Sequence, residues 1–329
     1  DAVPVTPPLE PCLLPGSVLT PSLGAYLLTQ KFCYHSPFYR EQWKLKAAHG
    51  IELTRNLMCS WHDHLADTLR PLYQILGTKF RESDYLKIDE TPVRCLEPGN
   101  GKAATGYFWV YHHAQHGVLY DWHKSRANTC LDSILIDEQG GQSFHGHLQS
   151  DGLRAYRTFI ERHTTLDITP VSCLAHISRK FKEACGDYPR ITARILLLIG
   201  SIYQVEKRLR QERAGPLDRH RTRWRESRKP YDHLVKLTVR LQRSKKIIPR
   251  SNLGKALVYA VAQLPHLEPC FIEQVRRHGA DPFAYFEWVF EKLMHHPPTE
   301  ELETLLPTHW INARATAAEP IEVEATIVA

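Results

Sequence analysis

Two aspartates stand where a carboxylate is costly unless it has a partner. Asp89 lies in Tyr85-Leu86-Lys87-Ile88-Asp89, an alternating apolar–polar run that reads as a strand. Asp151 follows a second short strand, His147-Leu148-Gln149-Ser150, and precedes Gly152. A carboxylate in an apolar strand carries a desolvation cost unless it is paired or bound to a metal. Brought side by side, the two would repel, and a divalent cation would relieve that repulsion. Hard oxygen donors with open positions suit Mg2+ or Mn2+. Two such ions can activate a water and stabilise the leaving oxygen in phosphodiester cleavage. The same spacing also fits an edge-of-sheet Asp beside a turn Asp, each only hydrogen-bonded.

A second group of candidates follows Asp151. Cys173 and His176 form a C-x-x-H step where a strand gives way to a helix. One reading is half of a zinc site, but a structural zinc needs about four ligands and no second half has suitable spacing. The other reading has Cys173 packed in the core and His176 positioning the helix. His145 and His147 share a strand face and are conjectural further ligands. Arg179 and Lys180 follow on the same helix, and Lys87 shares the Asp89 side of its strand. These three would meet phosphate if they face the carboxylates, or else are ordinary surface charges.

The elements that must position these residues read as follows. The chain has 329 residues and a formal charge of +6, with 43% hydrophobic and 24% charged residues, which excludes wholesale disorder. No run approaches the roughly twenty apolar residues of a membrane span, and no basic-then-apolar leader opens the chain. Eight irregularly spaced cysteines without a C-x-x-C pair read as reduced thiols. Residues 1–24, rich in proline, read as an extended linker following a domain no longer present. Residues 25–80 read as helical, and Arg40–His49, Gly50 and a helix capped by Thr54 form a helix-turn-helix pattern or a plain helical hairpin. Residues 81–188 read as three strands, helix, strand, helix, strand, helix, hence a mixed α/β sheet with helices on its faces. Here residues 126–139 are expected to be one helix, with Cys130, Ile134 and Leu135 inward. Residues 189–270 read as a helical insertion. Its arginines around Trp224 read either as a phosphate-binding helix or as a solvated face balanced by Glu206, Glu212, Asp218 and Glu226, and the mixed signs favour the latter. Residues 271–311 read as C-terminal helices and 312–329 as a disordered tail.

One ordered set of motifs goes beyond any of its members. It runs Asp89-Glu90-Thr91-Pro92-Val93, Gly106-x-x-Trp109-Val110-Tyr111, Gln149-Ser150-Asp151-Gly152-x-x-x-Tyr156 and Cys173-Leu174-Ala175-His176-x-x-Arg179-Lys180-Phe181, then Tyr259-Ala260, Ile272-Glu273 and Gly279-Ala280-Asp281-Pro282. The set resembles the bacterial insertion sequence sixty-six family of transposases over roughly residues 15–310. The segment before it, with Pro37-Phe38-Tyr39-Arg40 and Gly50-Ile51-Glu52-Leu53, is similar to that family's segment before its catalytic domain.

The resemblance implies an RNase H-like catalytic core and DNA strand cleavage and transfer by an Asp-Asp-Glu site using Mg2+ or Mn2+. Asp89 matches the first acid and Asp151 the second, so a water or 3′-hydroxyl would be activated there. The family's third acid sits in an Asn-Asn-x-x-Glu-Arg run, and this sequence contains no Asn-Asn. Leu264 to Phe271 passes straight into Ile272-Glu273, where the family has several dozen further residues. The expectation is an internal deletion that removed the glutamate, with no role assigned to Glu268 or Glu273. The family's N-terminal helical, zinc-binding region is expected to be absent. The implied partners are transposon-end and target DNA, in a homo-oligomeric complex, in the nucleoid of a bacterial cytoplasm and without a membrane. The rival readings are a non-catalytic DNA-binding remnant or regulator of transposition, and a general RNase H-like nuclease with a local third acid.

Overall fold

The computed structural model describes residues 12–96, 99, 101–113, 115–271, 282–295, 297–306 and 309. The chain divides into two compact units, Asp1–Thr78 with Arg277–Ala329, and Lys79–Arg276. The tail 312–329 and the Ile272-Glu273 and Gly279–Asp281 motifs lie outside the described residues.

In the first unit, α1 (Pro21–Leu28), α2 (Phe38–His49), α3 (Arg55–Arg81, which runs on into the second unit) and α11 (Pro282–Met294) share an apolar core. Within the stretch read as a linker, residues 1–11 lie outside the described residues, and the rest is folded. Leu19 is fully buried, and Leu13 and Leu14 pack beside it. The Thr20 hydroxyl accepts the Leu23 amide at 3.2 Å and Pro21 opens the helix, a favourable cap and first-turn pair. Gly50 ends α2 in the left-handed region (φ 68°), where a side chain would be strained. The Thr54 hydroxyl accepts the Leu57 amide at 3.2 Å at the start of α3. Trp61 and Leu65 are core residues. A buried carboxylate, Glu41, takes hydrogen bonds from Tyr26 (2.7 Å), Ser36 and Lys44 (3.0 and 3.2 Å). Burial would raise its pKa, but these donors outweigh burial and lower it.

The second unit is built on a five-stranded sheet of order β3-β2-β1-β4-β5. Its strands are β1 (Tyr85–Leu96), β2 (Ala103–His113), β3 (Gly117–His123), β4 (Gly146–Ser150) and β5 (Ile168–Ser172). The hairpin strands β1, β2 and β3 are antiparallel, whereas β4 and β5 run parallel to β1. This is a mixed α/β core with helical parts, as the resemblance implies. The first and fourth strands are neighbours, which the strand order allows.

The expected helix over 126–139 is a correction. Only a 3-10 turn, Asn128–Leu131, and the one-turn α4 (Asp132–Leu135) form there. Ile136 turns to extended backbone (ψ 137°), and the Gly140-Gly141 pair that follows disfavours helix. Cys130, Ile134 and Leu135 do point inward.

Helices α5 (Arg154–Arg162) and α6 (Leu174–Glu183) follow β4 and β5. Beyond them come α7 (Pro189–Gln211), α8 (Pro216–Thr222), α9 (Arg228–Gln242) and α10 (Asn252–Gln263). Ile177 and Phe181 of α6 share one core with Ile195 and Ile199 of α7, Leu234 of α9 and Leu257 of α10. The helical part therefore braces the helix that carries His176. In the first unit, α12 (Thr299–Leu302) closes the described elements with a short 3-10 turn.

Candidate functional site

The β1–β4 ladder ends at the pair Lys87↔Gln149. Asp89 lies two residues beyond Lys87 and Asp151 two residues beyond Gln149. The side-chain period of a strand is two, so Asp89 shares the Lys87 face of β1, while Asp151 stands just past the end of the neighbouring β4. Just before them the Tyr85 hydroxyl donates to Gln149 Oε1 at 2.7 Å. The other Gln149 terminus donates to the Ser172 carbonyl at 3.0 Å, tying β5 in.

Asp89 is open, with its side chain 59% exposed. Its Oδ1 accepts the Glu90 amide at 3.0 Å, and its Oδ2 lies 4.0 Å from His176 Nε2. Asp151 sits on a turn whose geometry Gly152 dictates. Gly152 has φ 79°, and a Cβ there would come within 2.3 Å of Gln263 Oε1. The Asp151 carboxylate accepts the Leu153 amide at 2.8 Å, and its backbone carbonyl accepts the Tyr259 hydroxyl from α10. The Tyr259 hydroxyl is pushed up in pKa by burial and then by the nearby charges of Asp151, Cys173 and Asp89. That field groups the two carboxylates, the Cys173 step and α10 in one place.

The opposite face of β1 carries a different carboxylate. Glu90 is buried, with its side chain 1% exposed. Arg126 donates to its Oε1 from Nε at 2.8 Å and from a terminal nitrogen, and the Tyr156 hydroxyl donates to Oε2 at 2.5 Å. Burial and then Glu90 push the Tyr156 hydroxyl far up in pKa. Burial alone would lower the Arg126 pKa, but its bond to Glu90 and the charges of Glu90 and Asp151 raise it. Trp109 meets the Tyr156 ring edge-on at 5.9 Å. Glu90, Arg126, Tyr156 and Tyr259 are missed by sequence reasoning as site residues. Tyr156 and Tyr259 stand in the ordered motif set, but nothing in the sequence marks Arg126.

The remaining candidates fall around this centre. Cys173 is the N-cap residue of α6, and His176 lies one turn in. Arg179 and Lys180 follow at i+3 and i+4 from His176, on its side of the helix, and both are exposed. Lys180 lies 3.6 Å from Glu183. The Lys87 ammonium sits 6.0 Å from the centre of the Tyr85 ring, on the Asp89 face. His145 lies 3.9 Å from Asp84, away from the Cys173 step in its pairing.

The donor set was tested against a hard divalent cation. Asp89 and Asp151 are right in kind, as carboxylate oxygens. They fall short in number: among the described residues no three His, Cys, Asp or Glu side chains converge to hold a metal. The same holds for zinc at Cys173 and His176. Among the described residues no helix is long and apolar enough to cross a membrane.

The family model that matches this sequence is described as "Transposase IS66 family", and the match covers residues 16–276. Two proteins of Sinorhizobium fredii (strain NBRC 101917 / NGR234) are similar. Uncharacterized protein y4jD is 26% identical over 355 residues, covering 90% of this chain and 67% of that protein. Uncharacterized protein y4qI is 27% identical over 183 residues, covering 52% of this chain and 33% of that protein. The chain thus spans about two thirds of the first relative and one third of the second.

Proposed function

This chain belongs to the transposase IS66 family, and from that premise we propose that it is a degenerate copy, able to engage DNA but poor or inactive at strand cleavage. The observation that carries the reading is that Asp89 on β1 and Asp151 just past the end of the neighbouring β4 have no third acid joining them among the described residues. A deletion before Ile272 accounts for the missing glutamate. The y4jD alignment runs over 355 positions against the 329 residues of this chain, so that relative has residues this chain lacks, as a deletion would leave.

The roles follow from placement. Asp89 and Asp151 would hold Mg2+ or Mn2+, which when bound supplies Lewis acidity and a water of lowered pKa. Tyr259 fixes the Asp151 turn through its backbone carbonyl. His176 lies 4.0 Å from the Asp89 carboxylate. Arg179, Lys180 and Lys87 offer positive charge for phosphate oxygens on the same side. With two carboxylates one ion is held weakly, the second loses a ligand, and imprecise positioning costs orders of magnitude in rate. The partners under this reading are transposon-end and target DNA, bound by a homo-oligomer in the bacterial nucleoid.

The test is Mn2+-dependent nicking of labelled transposon-end DNA, comparing the chain with Asp89→Asn. The expected result is a shifted band with no nicking by either protein. Nicking that disappears in Asp89→Asn would overturn the degenerate reading and leave an active transposase. A chain that neither nicks nor shifts DNA would overturn the functional proposal altogether.

A further inference from the structure

The helical part beyond α6 contains two basic regions that differ in their pairing. In the arginine-rich stretch around Trp224 five of the eight arginines meet acids or carbonyls, while Arg210, Arg213 and Arg221 stand exposed. Arg223 binds Glu206 at 2.5 Å, Arg208 and Arg225 share Glu226 at 2.6 and 2.9 Å, and Arg228 meets Asp232 at 3.1 Å. Arg219 caps the carbonyls of Leu209 and Ala214. The second region is a groove of about 260 Å³ between α7 and α9. Its walls are Arg194 from α7 and His233, Lys236 and Arg240 from α9, over a half-buried floor of Leu198 and Leu237. No acidic residue lines it. All four wall side chains are exposed.

We propose that this groove is a DNA-backbone binding site, separate from the carboxylate site. Positions 233, 236 and 240 recur at helical spacing and so line one face of α9. Like charges one turn apart repel, and no carboxylate in the groove relieves them, whereas a polyanion would. From 233 to 240 the wall extends about 10 Å along the helix axis, at 1.5 Å per residue. That is too long for a single phosphate and suits consecutive phosphates of a strand, since each strand of duplex DNA carries one charge per about 3.4 Å of axis. The leucine floor bears on no base edge in particular, so the contact is independent of sequence. The choice of DNA as the polyanion rests on the functional reading above, while the unpaired groove does not.

The experiment is anisotropy of a labelled duplex of unrelated sequence between 50 and 200 mM salt, as suits a phosphate contact of about 0.9 in slope each. The variant is Arg194→Gln/Lys236→Gln/Arg240→Gln, and the control is Arg208→Gln/Arg225→Gln/Arg228→Gln, which removes equal charge from the paired region. The expected result is a plot of log K against log salt shallower by roughly 2.7 for three lost contacts, with a smaller change in the control. On the unsubstituted chain, DNA should protect Lys236 from acetylation, a readout that does not depend on how a variant folds. Equal slope losses in variant and control, or DNA binding with Lys236 unprotected, would overturn the groove and leave the functional reading standing. A chain that binds no DNA at all would overturn both.

Discussion

Asp89 and Glu90 are adjacent on one strand and belong to two different regions. Asp89 faces open space beside Asp151 and His176, with its carboxylate more than half exposed. Glu90 faces the core, where Arg126 and Tyr156 occupy both of its oxygens. A carboxylate with both oxygens committed is part of the scaffold, since moving it leaves partners stranded in low dielectric. A carboxylate with uncommitted oxygens, held by backbone alone, is available to a cation or a substrate. The basic side repeats the distinction: Arg208, Arg223, Arg225 and Arg228 near Trp224 are spent on Glu206, Glu226 and Asp232, whereas the α7–α9 groove has no acid among its lining residues. In this chain pairing separates structure from function better than residue type does.

The largest expected effect comes from breaking the buried region. Glu90→Ala leaves the Tyr156 hydroxyl buried without an acceptor and Arg126 without its partner. The expected loss is about 3 kcal/mol, the upper end of the cost of stranding a buried hydroxyl, since Arg126 is 44% exposed and regains water. It is read from the urea midpoint of the chain. If Glu90→Ala melts with the parent, the distinction between the two faces of β1 fails.

That distinction was only half legible in the sequence. The alternation in 85–89 and 147–150, with hairpin strands before and α/β units after, was enough to anticipate the sheet and the neighbouring β1 and β4. The Glu90–Arg126 pair was not legible, because the partners lie 36 residues apart and meet only through a loop whose path the pattern does not encode. The 126–139 segment misled because its apolar spacing fits a helix, while extended backbone at Ile136 ends its last turn after Leu135. Helix α3 runs past Leu69 and through Pro71 to Arg81, since packing outweighs a single missing donor. The groove was invisible for a related reason. Arg194 and Lys236 are ordinary surface charges in sequence, and only the packing of α7 on α9 makes them neighbours.

A middle-sized effect extends the comparison to imidazoles. His113, at the end of β2, is buried, and its Nδ1 accepts the amides of Gln115 and His116 at 3.0 Å each. Burial, and then the charges of His116 and His112, lower its pKa from 6.5 to about 4. The fold thus prefers the neutral ring. The stability this confers is fully present above about pH 6.5 and is lost as pH falls through about 4. At about 1.36 kcal/mol per pKa unit, reduced for water reaching the ring, the loss is about 2 kcal/mol. Urea midpoints at pH 7 and pH 4.5 should differ by that amount beyond the general acid effect. His113→Gln should flatten the difference, and an unchanged slope would remove His113 from the set of committed groups.

The smallest effect is the most informative about the open region. Asp89→Asn removes a charge that nothing buried depends on, so its cost in the absence of metal should stay within about 0.5 kcal/mol. Removing a like charge next to Asp151 could even raise stability slightly, because neighbouring carboxylates repel. Metal reverses the order of the two proteins. A single weak ion, present at tenfold its dissociation constant, stabilises the folded chain by about 1.4 kcal/mol. Mn2+ should therefore raise the urea midpoint of the parent and leave Asp89→Asn unmoved. Equal responses would place the ion elsewhere and separate Asp89 from any metal chemistry. A response much larger than this would mean that a third donor completes the site, and the case for a weakened centre would then give way to one for an intact one.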